Sequence, residues 1–187
     1  MKVLLVTGSF PPDRCGVGDY CAQLCQHLGY RDDVEVRVLT SRSHEQPSAD
    51  AFDVFRVMDR WALREAPTFI RMLREFEPDL VHLQYPTQGY GSALLPWFIP
   101  MIARLQGTKV VQTWHEPYSR RRALKLLLKA SAGGGLIFVR PDFLERLHWM
   151  LHWAIWGKRY RYIKSASTIP MCTLTPDELD TSRASID

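Results

Sequence analysis

A histidine and a glutamate stand side by side at positions 115 and 116, where the apolar run VVQTW ends before Pro117. An imidazole can exchange hydrogen bonds with hydroxyl groups or a phosphate near neutral pH. A single histidine is more often structural, and Glu116 could orient a substrate hydroxyl or only cap a helix. Because the pair follows a predicted strand and Pro117 fixes the turn, His115 is the first candidate functional residue.

A glycine turn near the N-terminus has the composition of an anion-binding loop. Phe10-Pro11-Pro12 is followed by Cys15-Gly16-Val17-Gly18 and then by a helical pattern. Gly16 and Gly18 carry no side chain, so an anion can approach the backbone N–H groups and the positive end of the helix dipole. A tight turn that needs small residues explains the same pattern. The loop matches neither GxGxxG nor GxxxxGKS/T, which argues against a dinucleotide fingerprint and a P-loop NTPase.

Polar and aromatic side chains follow two further apolar runs. The run PDLVHLQY leads into PTQGYG, where Tyr85, Gln88 and Tyr90 offer hydrogen bonds and flat apolar faces. The alternative is a turn in which both tyrosines pack on neighbours. Arg140 follows GLIFV and is placed to bind a phosphate or carboxylate, although an exposed arginine needs no ligand. His82 lies within its strand and is interpreted as structural.

Six short apolar runs alternate with helical patterns, which predicts a parallel sheet covered on both faces. The predicted strands are Lys2–Thr7, Val34–Leu39, Asp53–Val57, Leu80–Leu83, Lys109–Trp114 and Gly135–Val139. The predicted helices are Val17–Leu28, Pro67–Phe76, Ser92–Leu105, Arg121–Lys129 and Asp142–Met150. The fold class is therefore α/β, with a Rossmann-like, doubly wound and mainly parallel sheet flanked by helices. Ligands of such folds lie beyond the carboxyl ends of the strands, which is where the candidate residues stand.

Composition limits the class of protein. The chain has 187 residues, of which 46% are apolar, so it can form a buried core. Its net charge of +4 is too small to indicate nucleic-acid binding. The four cysteines have no zinc or disulfide spacing, and we interpret them as reduced thiols of a cytoplasmic protein, with Cys21 and Cys25 on a buried helix face. No metal-ligand cluster is visible. No apolar stretch is long enough to span a membrane, and the N-terminus lacks a signal-peptide pattern.

Two clusters of basic side chains bear on partners. The first contains Arg120, Arg121, Arg122, Lys125 and Lys129, and the second contains Trp149, Trp153, Trp156, Lys158, Arg159, Tyr160, Arg161, Tyr162 and Lys164. Either could rest on an anionic membrane leaflet with its aromatic rings at headgroup depth. The helix of the first cluster also carries Leu124, Leu126, Leu127 and Leu128. We favour the interpretation in which these leucines and the tryptophans are core residues and the charges are solvated.

Three of these segments together resemble the N-terminal domain of family-4 retaining glycosyltransferases, which have the two-domain GT-B fold. FPPDRCGVGDY is similar to the family's loop and small-residue turn in its Cys-first variant. PDLVHLQYPTQGYG is similar to a strand and loop of that family, and TWHEP to its strand end with a histidine and an acidic residue. The resemblance covers about residues 2–170. It implies an acceptor-side Rossmann-like domain at residues 1–170 and a tail or the start of an interdomain linker at 171–187.

The resemblance also implies roles for residues. Cys15 stands where the family more often has a second glycine, so the role of the loop carries over to Gly16 and Gly18 only. These two would lie in the interdomain cleft near the donor diphosphate and the acceptor, and Val17 between them is also predicted to bind substrate. His115 would lie beside the donor sugar, and Arg140 at the cleft rim. Gly135–Val139 would be the strand that closes the sheet.

The reaction implied is transfer of a sugar, with retention, from a nucleotide sugar to a glycan or lipid-linked acceptor, as in polysaccharide biosynthesis. No metal or further cofactor is implied. A chain of this length cannot also contain the donor-binding domain of such enzymes. We therefore expect it to be inactive without such a domain or subunit. The expected location is the cytoplasm, with contact at the inner face of the membrane as the second interpretation.

Two other classes of function stay open. One is a non-catalytic module, or a subunit of a split glycosyltransferase, that binds a glycan or acceptor. The other is an unrelated nucleotide-binding Rossmann domain, which the missing acidic ribose-binding signature makes weaker.

Overall fold

The computed structural model describes residues 1–42, 52–116, 134–147, 149, 152, 155 and 158–164 of the chain. These residues form one seven-stranded sheet in which all neighbouring strands are parallel. The strands are β1 Lys2–Val6, β2 Glu35–Ser41, β3 Asp53–Met58, β4 Leu80–Tyr85, β5 Lys109–Trp114, β6 Gly135–Phe138 and β7 Arg159–Tyr162. The Rossmann-like α/β class predicted from the sequence is confirmed.

Helices cover both faces of the sheet. They are α1 Gly16–Gly29, α2 Ala66–Phe76, α3 Leu95–Leu105 and α4 Phe143–Arg146, with short 3-10 turns at Leu63–Glu65 and Gln88–Tyr90. Successive residues of β1 serve opposite faces, since Val3 belongs to the core cluster under α1 and Leu4 to the cluster under the other helices. Cys21 and Cys25 are fully buried in the α1 cluster, which confirms their predicted position.

The strand order is β3-β2-β1-β4-β5-β6-β7. From β1 the chain winds outward to β3 and then returns to place β4 on the other side of β1. The crevice beyond the carboxyl ends of the strands at such a reversal is the usual ligand position in open α/β sheets. The segments that begin at Gly8, Pro86, His115 and Val139 all start at this edge of the sheet.

The sheet extends one strand further than the sequence analysis predicted. Gly135–Val139 does not close it, because β7 pairs with β6 along its whole length, from Gly135↔Arg159 to Phe138↔Tyr162. All four residues of β7 are exposed, and its sequence Arg-Tyr-Arg-Tyr contains no aliphatic residue, so it lacks the short apolar run that identified the other strands.

The structure also corrects the segment that follows β6. The predicted helix Asp142–Met150 is shorter, because Leu147 has extended backbone with ψ of 136° and ends α4 at Arg146. Leu147 takes the buried position after α4, whereas Trp149 is 72% exposed. The interpretation of Trp149 as a core residue is therefore wrong.

Several predicted features lie outside the described residues. They are the helix Arg121–Lys129 with its basic cluster, Trp153, Trp156, Cys172, and the tail from residue 171. Among the helices that the structure does describe, none is long and apolar enough to cross a lipid bilayer.

Candidate functional site

A cleft of about 590 Å³ opens at the carboxyl edge of the sheet, beside the strand reversal. Four chain segments line it, following β1, β4, β5 and β6 in turn. The lining residues are Cys15, Gly16, Val17, Tyr20, Pro86, Thr87, Gln88, His115, Glu116, Val139 and Arg140. The fold thus brings together six of the nine predicted site residues, from positions more than 100 residues apart in the sequence.

The loops that follow β1 and β4 are joined to each other by hydrogen bonds. The Gly8 N–H donates to Thr87 Oγ1 at 2.9 Å, and the Gly89 N–H donates to Ser9 Oγ at 2.8 Å. A Cβ atom added at Gly89 would overlap the Gly8 carbonyl oxygen, so only glycine allows the two backbones to approach this closely. This contact fixes the floor of the cleft beside Gln88.

The N-terminus of α1 faces the cleft. Gly16 is exposed, and a Cβ atom added there would meet no other atom within 4 Å. The first residues of the helix, Gly16 and Val17, line the cleft, and the first N–H groups of an α-helix have no acceptor within the helix itself. Because these groups and the helix dipole favour negative charge, this end of the cleft suits a phosphate or carboxylate.

Gly18 has a packing role in the same loop. It is buried and does not line the cleft, and a Cβ atom added there would lie 3.1 Å from the Ser9 carbonyl oxygen. Its small size lets α1 start close to the loop that follows β1.

The Cys15 thiol lies in the wall of the cleft and is almost fully buried. Burial acts to raise its pKa, but the neighbouring N–H groups of Gln88, Gly18 and Val17 and the Ser9 hydroxyl outweigh burial, and the pKa lies below its ordinary value. Two of these N–H groups, those of Val17 and Gly18, belong to the first turn of α1.

His115 is partly buried at the end of β5. Its backbone N–H donates to the Tyr85 carbonyl oxygen at 2.9 Å, and its Nε2 lies 2.8 Å from Gln84 Oε1. The Tyr20 ring packs edge-on against the imidazole, with centroids 5.1 Å apart. Burial and the neighbouring His82 lower the pKa of His115 to about 4, so its ring is neutral at pH 7.

Behind His115 a row of buried polar side chains continues into the sheet. Gln84 Nε2 lies 3.1 Å from His82 Nε2, which lies 2.8 Å from Thr113 Oγ1. His82 is thus a structural residue with buried partners, as interpreted from the sequence, and burial lowers its pKa to about 4.

Glu116 and Arg140 form the outer wall of the cleft. Glu116 is exposed. The Arg140 guanidinium lies against Asp142, with Nε at 3.2 Å from Oδ1 and Nη2 at 3.4 Å from Oδ2, and its side chain is 52% exposed. A ligand phosphate would therefore share Arg140 with the Asp142 carboxylate.

Tyr85 and Tyr90 do not line the cleft. Their rings lie in the core on the face opposite α1, stacked 5.8 Å apart, and Tyr90 also packs edge-on against Trp61 at 4.8 Å. The Tyr90 hydroxyl donates to the Val6 carbonyl oxygen. Of the predicted ligand contacts from this segment, only Gln88 faces the cleft.

Tyr20 and Thr87, which line the cleft, and Gln84, which lies behind it, had not been singled out from the sequence. Tyr20 lies one helical turn after Gly16, so the helix pattern placed it near the start of α1. Thr87 was part of the polar loop after β4. Gln84 was signalled only by being a polar residue within a buried strand.

A second cavity, of about 500 Å³, lies at the amino-terminal edge of the sheet, where β4, β5 and β6 begin. Arg104 and Lys109 supply its charge, beside glycines and apolar residues. It lies away from the strand reversal, so the carboxyl-edge cleft is the candidate site. No group of three or more metal-ligating side chains occurs within the described residues.

Comparison with known sequences decides the family. The profile described as "Glycosyl transferase 4-like domain" matches residues 15–180, which is most of the chain and includes every segment that lines the cleft. This chain belongs to the glycosyl transferase 4-like family. No sequence among the curated proteins is significantly similar to this glycosyl transferase 4-like domain.

Solved structures support the fold of this glycosyl transferase 4-like domain. A UDP-GlcNAc 2-epimerase from Neisseria meningitidis, bound to UDP-GlcNAc, superposes with a TM-score of 0.60 at 16% identity. The match covers 87% of this chain and 45% of the epimerase chain, so the domain spans less than half the length of that protein. Together with the family match, this fold supports the prediction of an N-terminal GT-B-type domain.

Proposed function

We propose that this chain is the acceptor-side domain of a retaining glycosyltransferase, which transfers a sugar from a nucleotide sugar to a glycan or lipid-linked acceptor. The observation that carries the proposal is the cleft itself. In a chain of the glycosyl transferase 4-like family, it combines the N-terminus of α1, the amide of Gln88, a neutral His115 and the carboxylate of Glu116.

Each wall of the cleft has a role in this proposal. The α1 N-terminus would favour the negative charge of the leaving diphosphate, which is the charge that grows in the transition state of glycosyl transfer. His115 and Gln88 would form hydrogen bonds with sugar hydroxyls. Glu116, exposed on the outer wall, would orient the acceptor hydroxyl, and Arg140 would contact phosphate once released from Asp142.

We propose that a second domain or subunit holds most of the donor nucleotide. The described residues form a single sheet with a charged cleft at its carboxyl edge, where the start of α1 offers contacts for a diphosphate. On this account the isolated chain binds acceptor saccharides better than nucleotides.

Calorimetric titration of the 187-residue chain with nucleotide sugars and with acceptor saccharides tests this assignment. We expect measurable saccharide binding, weak nucleotide binding and no turnover by this chain alone. Tight binding of a nucleotide without a partner would favour a nucleotide-binding Rossmann domain instead. Saccharide binding without turnover after a donor-binding domain is added would favour a non-catalytic module, and turnover by the chain alone would refute the need for a partner.

A further inference from the structure

Three buried polar side chains lie on the face of the sheet against which α1 packs. His82 is 8% exposed, and Gln84 and Thr113 are fully buried. His82 and Gln84 alternate with the apolar residues of β4 and share a face, and Thr113 lies beside Gln84 in the parallel register of β4 and β5. Because unpaired polar groups are costly in an interior, such a row needs a consistent set of donors and acceptors.

The contacts within the row define that set. In the amide orientation of the structure, the Gln84 N–H donates to His82 Nε2 at 3.1 Å, so that nitrogen carries no proton, and the Thr113 hydroxyl lies 2.8 Å from the same nitrogen. The Gln84 amide then presents Oε1 to His115 Nε2 at 2.8 Å. An amide oxygen can only accept, so His115 carries its proton on Nε2.

This arrangement leaves the other ring nitrogen of His115 as a hydrogen-bond acceptor. Nδ1 has no hydrogen-bond partner among the described residues, and His115 lines the cleft. The ring contacts the Gln84 amide and the ring of Tyr20, and the backbone of His115 is held by its hydrogen bond to the Tyr85 carbonyl oxygen.

We propose that Gln84 is a positioning residue that fixes the tautomer of His115, with the proton on Nε2 and the lone pair of Nδ1 offered to the cleft. His82 and Thr113 hold the Gln84 amide in the required orientation. The consequence, which rests on the function proposed above, is selectivity for a sugar that presents a hydroxyl donor to Nδ1. A deoxy or O-methyl sugar at this position would leave Nδ1 unpaired and bind more weakly.

Nitrogen NMR of the chain labelled with ¹⁵N-histidine tests the tautomer directly, and His115→Asn assigns the signals. We expect Nδ1 of His115 to resonate as an unprotonated nitrogen and Nε2 as a protonated one. In Gln84→Met the signals should move towards a mixture of tautomers. Gln84→Glu should restore the Nε2–H form and raise the pKa of His115, because a carboxylate replaces the amide oxygen.

The matched control is Gln112→Met. Gln112 is also fully buried, lies on β5 beside Thr113 but on the opposite face, and accepts a hydrogen bond from Trp114 Nε1. It should cost comparable stability and leave the His115 tautomer unchanged. A proton on Nδ1 in the wild-type chain, or a tautomer that Gln84→Met does not alter, would overturn the proposal.

A binding measurement separates this proposal from the proposed function. For a saccharide that occupies the cleft, Gln84→Met should weaken affinity about tenfold, and the loss should be absent for the analogue that lacks the hydroxyl. If the expected tautomer is observed but no saccharide binds, the proposed function fails and the positioning of His115 stands. If a saccharide binds equally well to wild type and Gln84→Met, the positioning role fails.

Discussion

His115 lines the cleft and is hydrogen-bonded to Gln84 in the buried interior of the sheet. Its Nε2 bonds to Gln84, and its pKa of about 4 keeps the ring uncharged at physiological pH. A neutral imidazole can accept from a sugar hydroxyl, which an imidazolium cannot. The residue therefore acts in this account as a hydrogen-bond partner rather than as a fixed positive charge.

Replacing His115 with alanine should weaken saccharide binding about tenfold, because one hydrogen bond and the contact with the Tyr20 ring are lost. Calorimetry with the same saccharide measures the effect. His27→Ala is the control, since His27 is exposed in the last turn of α1, away from the cleft. Equal affinities of the His115 variant and wild type would remove His115 from the site.

The buried His82 should make stability fall in mild acid. Burial lowers its pKa from 6.5 to about 4, so below pH 6.5 the unfolded chain binds the proton more readily than the folded one. The free energy of unfolding should therefore decrease by about 2 kcal/mol from pH 7 to pH 5 through this residue. Urea denaturation at both pH values should show a smaller decrease for His82→Gln, and an undiminished one for His27→Gln.

The sequence indicated some site residues and could not indicate others. His115, Gly16 and Gln88 follow predicted strands. Because ligands of doubly wound folds lie beyond the carboxyl ends of the strands, these residues could be predicted to lie at the site. The Gln84–His115 bond joins residues 31 positions apart, and it depends on the register of β4 and β5, which no local pattern contains. Tyr85 was misjudged because the pleat of β4 turns it to the face opposite Gln84.

At the scale of elements, two loops and one turn hold the strand ends in place. The loops after β1 and β4 meet at Gly8 and Gly89. The connection from β3 to α2 is held by Glu65, whose carboxylate accepts the backbone N–H groups of Asp59, Arg60 and Ala62. This connection carries Trp61, which packs on Tyr90 beneath the loop after β4.

Gly89→Ala should lower the free energy of unfolding by about 2–3 kcal/mol, since its Cβ would displace the Gly8 carbonyl and separate the two loops. Chemical denaturation gives the value. Gly16→Ala is the matched control, because a Cβ there meets open space and its effect should stay within about 0.5 kcal/mol. A tolerated Gly89→Ala would show that the loops are not held in close contact.

Glu65→Ala should cost about 1–2 kcal/mol, since three backbone N–H groups lose a charged acceptor. Burial acts to raise the Glu65 pKa, but these N–H groups outweigh it and the pKa is lowered, so the contribution is present at neutral pH and lost in acid. Thermal unfolding at pH 7 measures it. Glu75→Ala is the control, since it removes only an exposed ion pair with Arg71 and should change the free energy of unfolding by less than about 0.5 kcal/mol. A similar loss of stability in both variants would contradict the role of Glu65.

The helices and strands that contain many buried apolar residues were predicted correctly from the sequence pattern. All six predicted strands exist, and α1, α2 and α3 lie within a few residues of their predicted bounds. β7 was missed because Arg-Tyr-Arg-Tyr is exposed on both faces and owes its strand conformation to pairing with β6. α4 was overestimated because Leu147 turns into the core and ends the helix.

At the scale of the whole molecule, one parallel sheet gathers four chain segments into one cleft at the strand reversal. The family match and the superposition agree on this fold. The fold alone is shared by proteins of different chemistry, as an epimerase with the same architecture illustrates. The proposed activity therefore depends on what the cleft binds.

The central claim is that a saccharide occupies the carboxyl-edge cleft, between α1 and His115. The most direct test is an NMR titration of the ¹⁵N-labelled chain with acceptor saccharides, followed residue by residue through the backbone amides. We expect saturable shifts at Gly16, Val17, Gln88 and His115, and little change at Arg104 and Lys109 at the opposite edge. Shifts confined to that opposite edge, or a complete absence of saturable shifts with saccharides, would contradict the account.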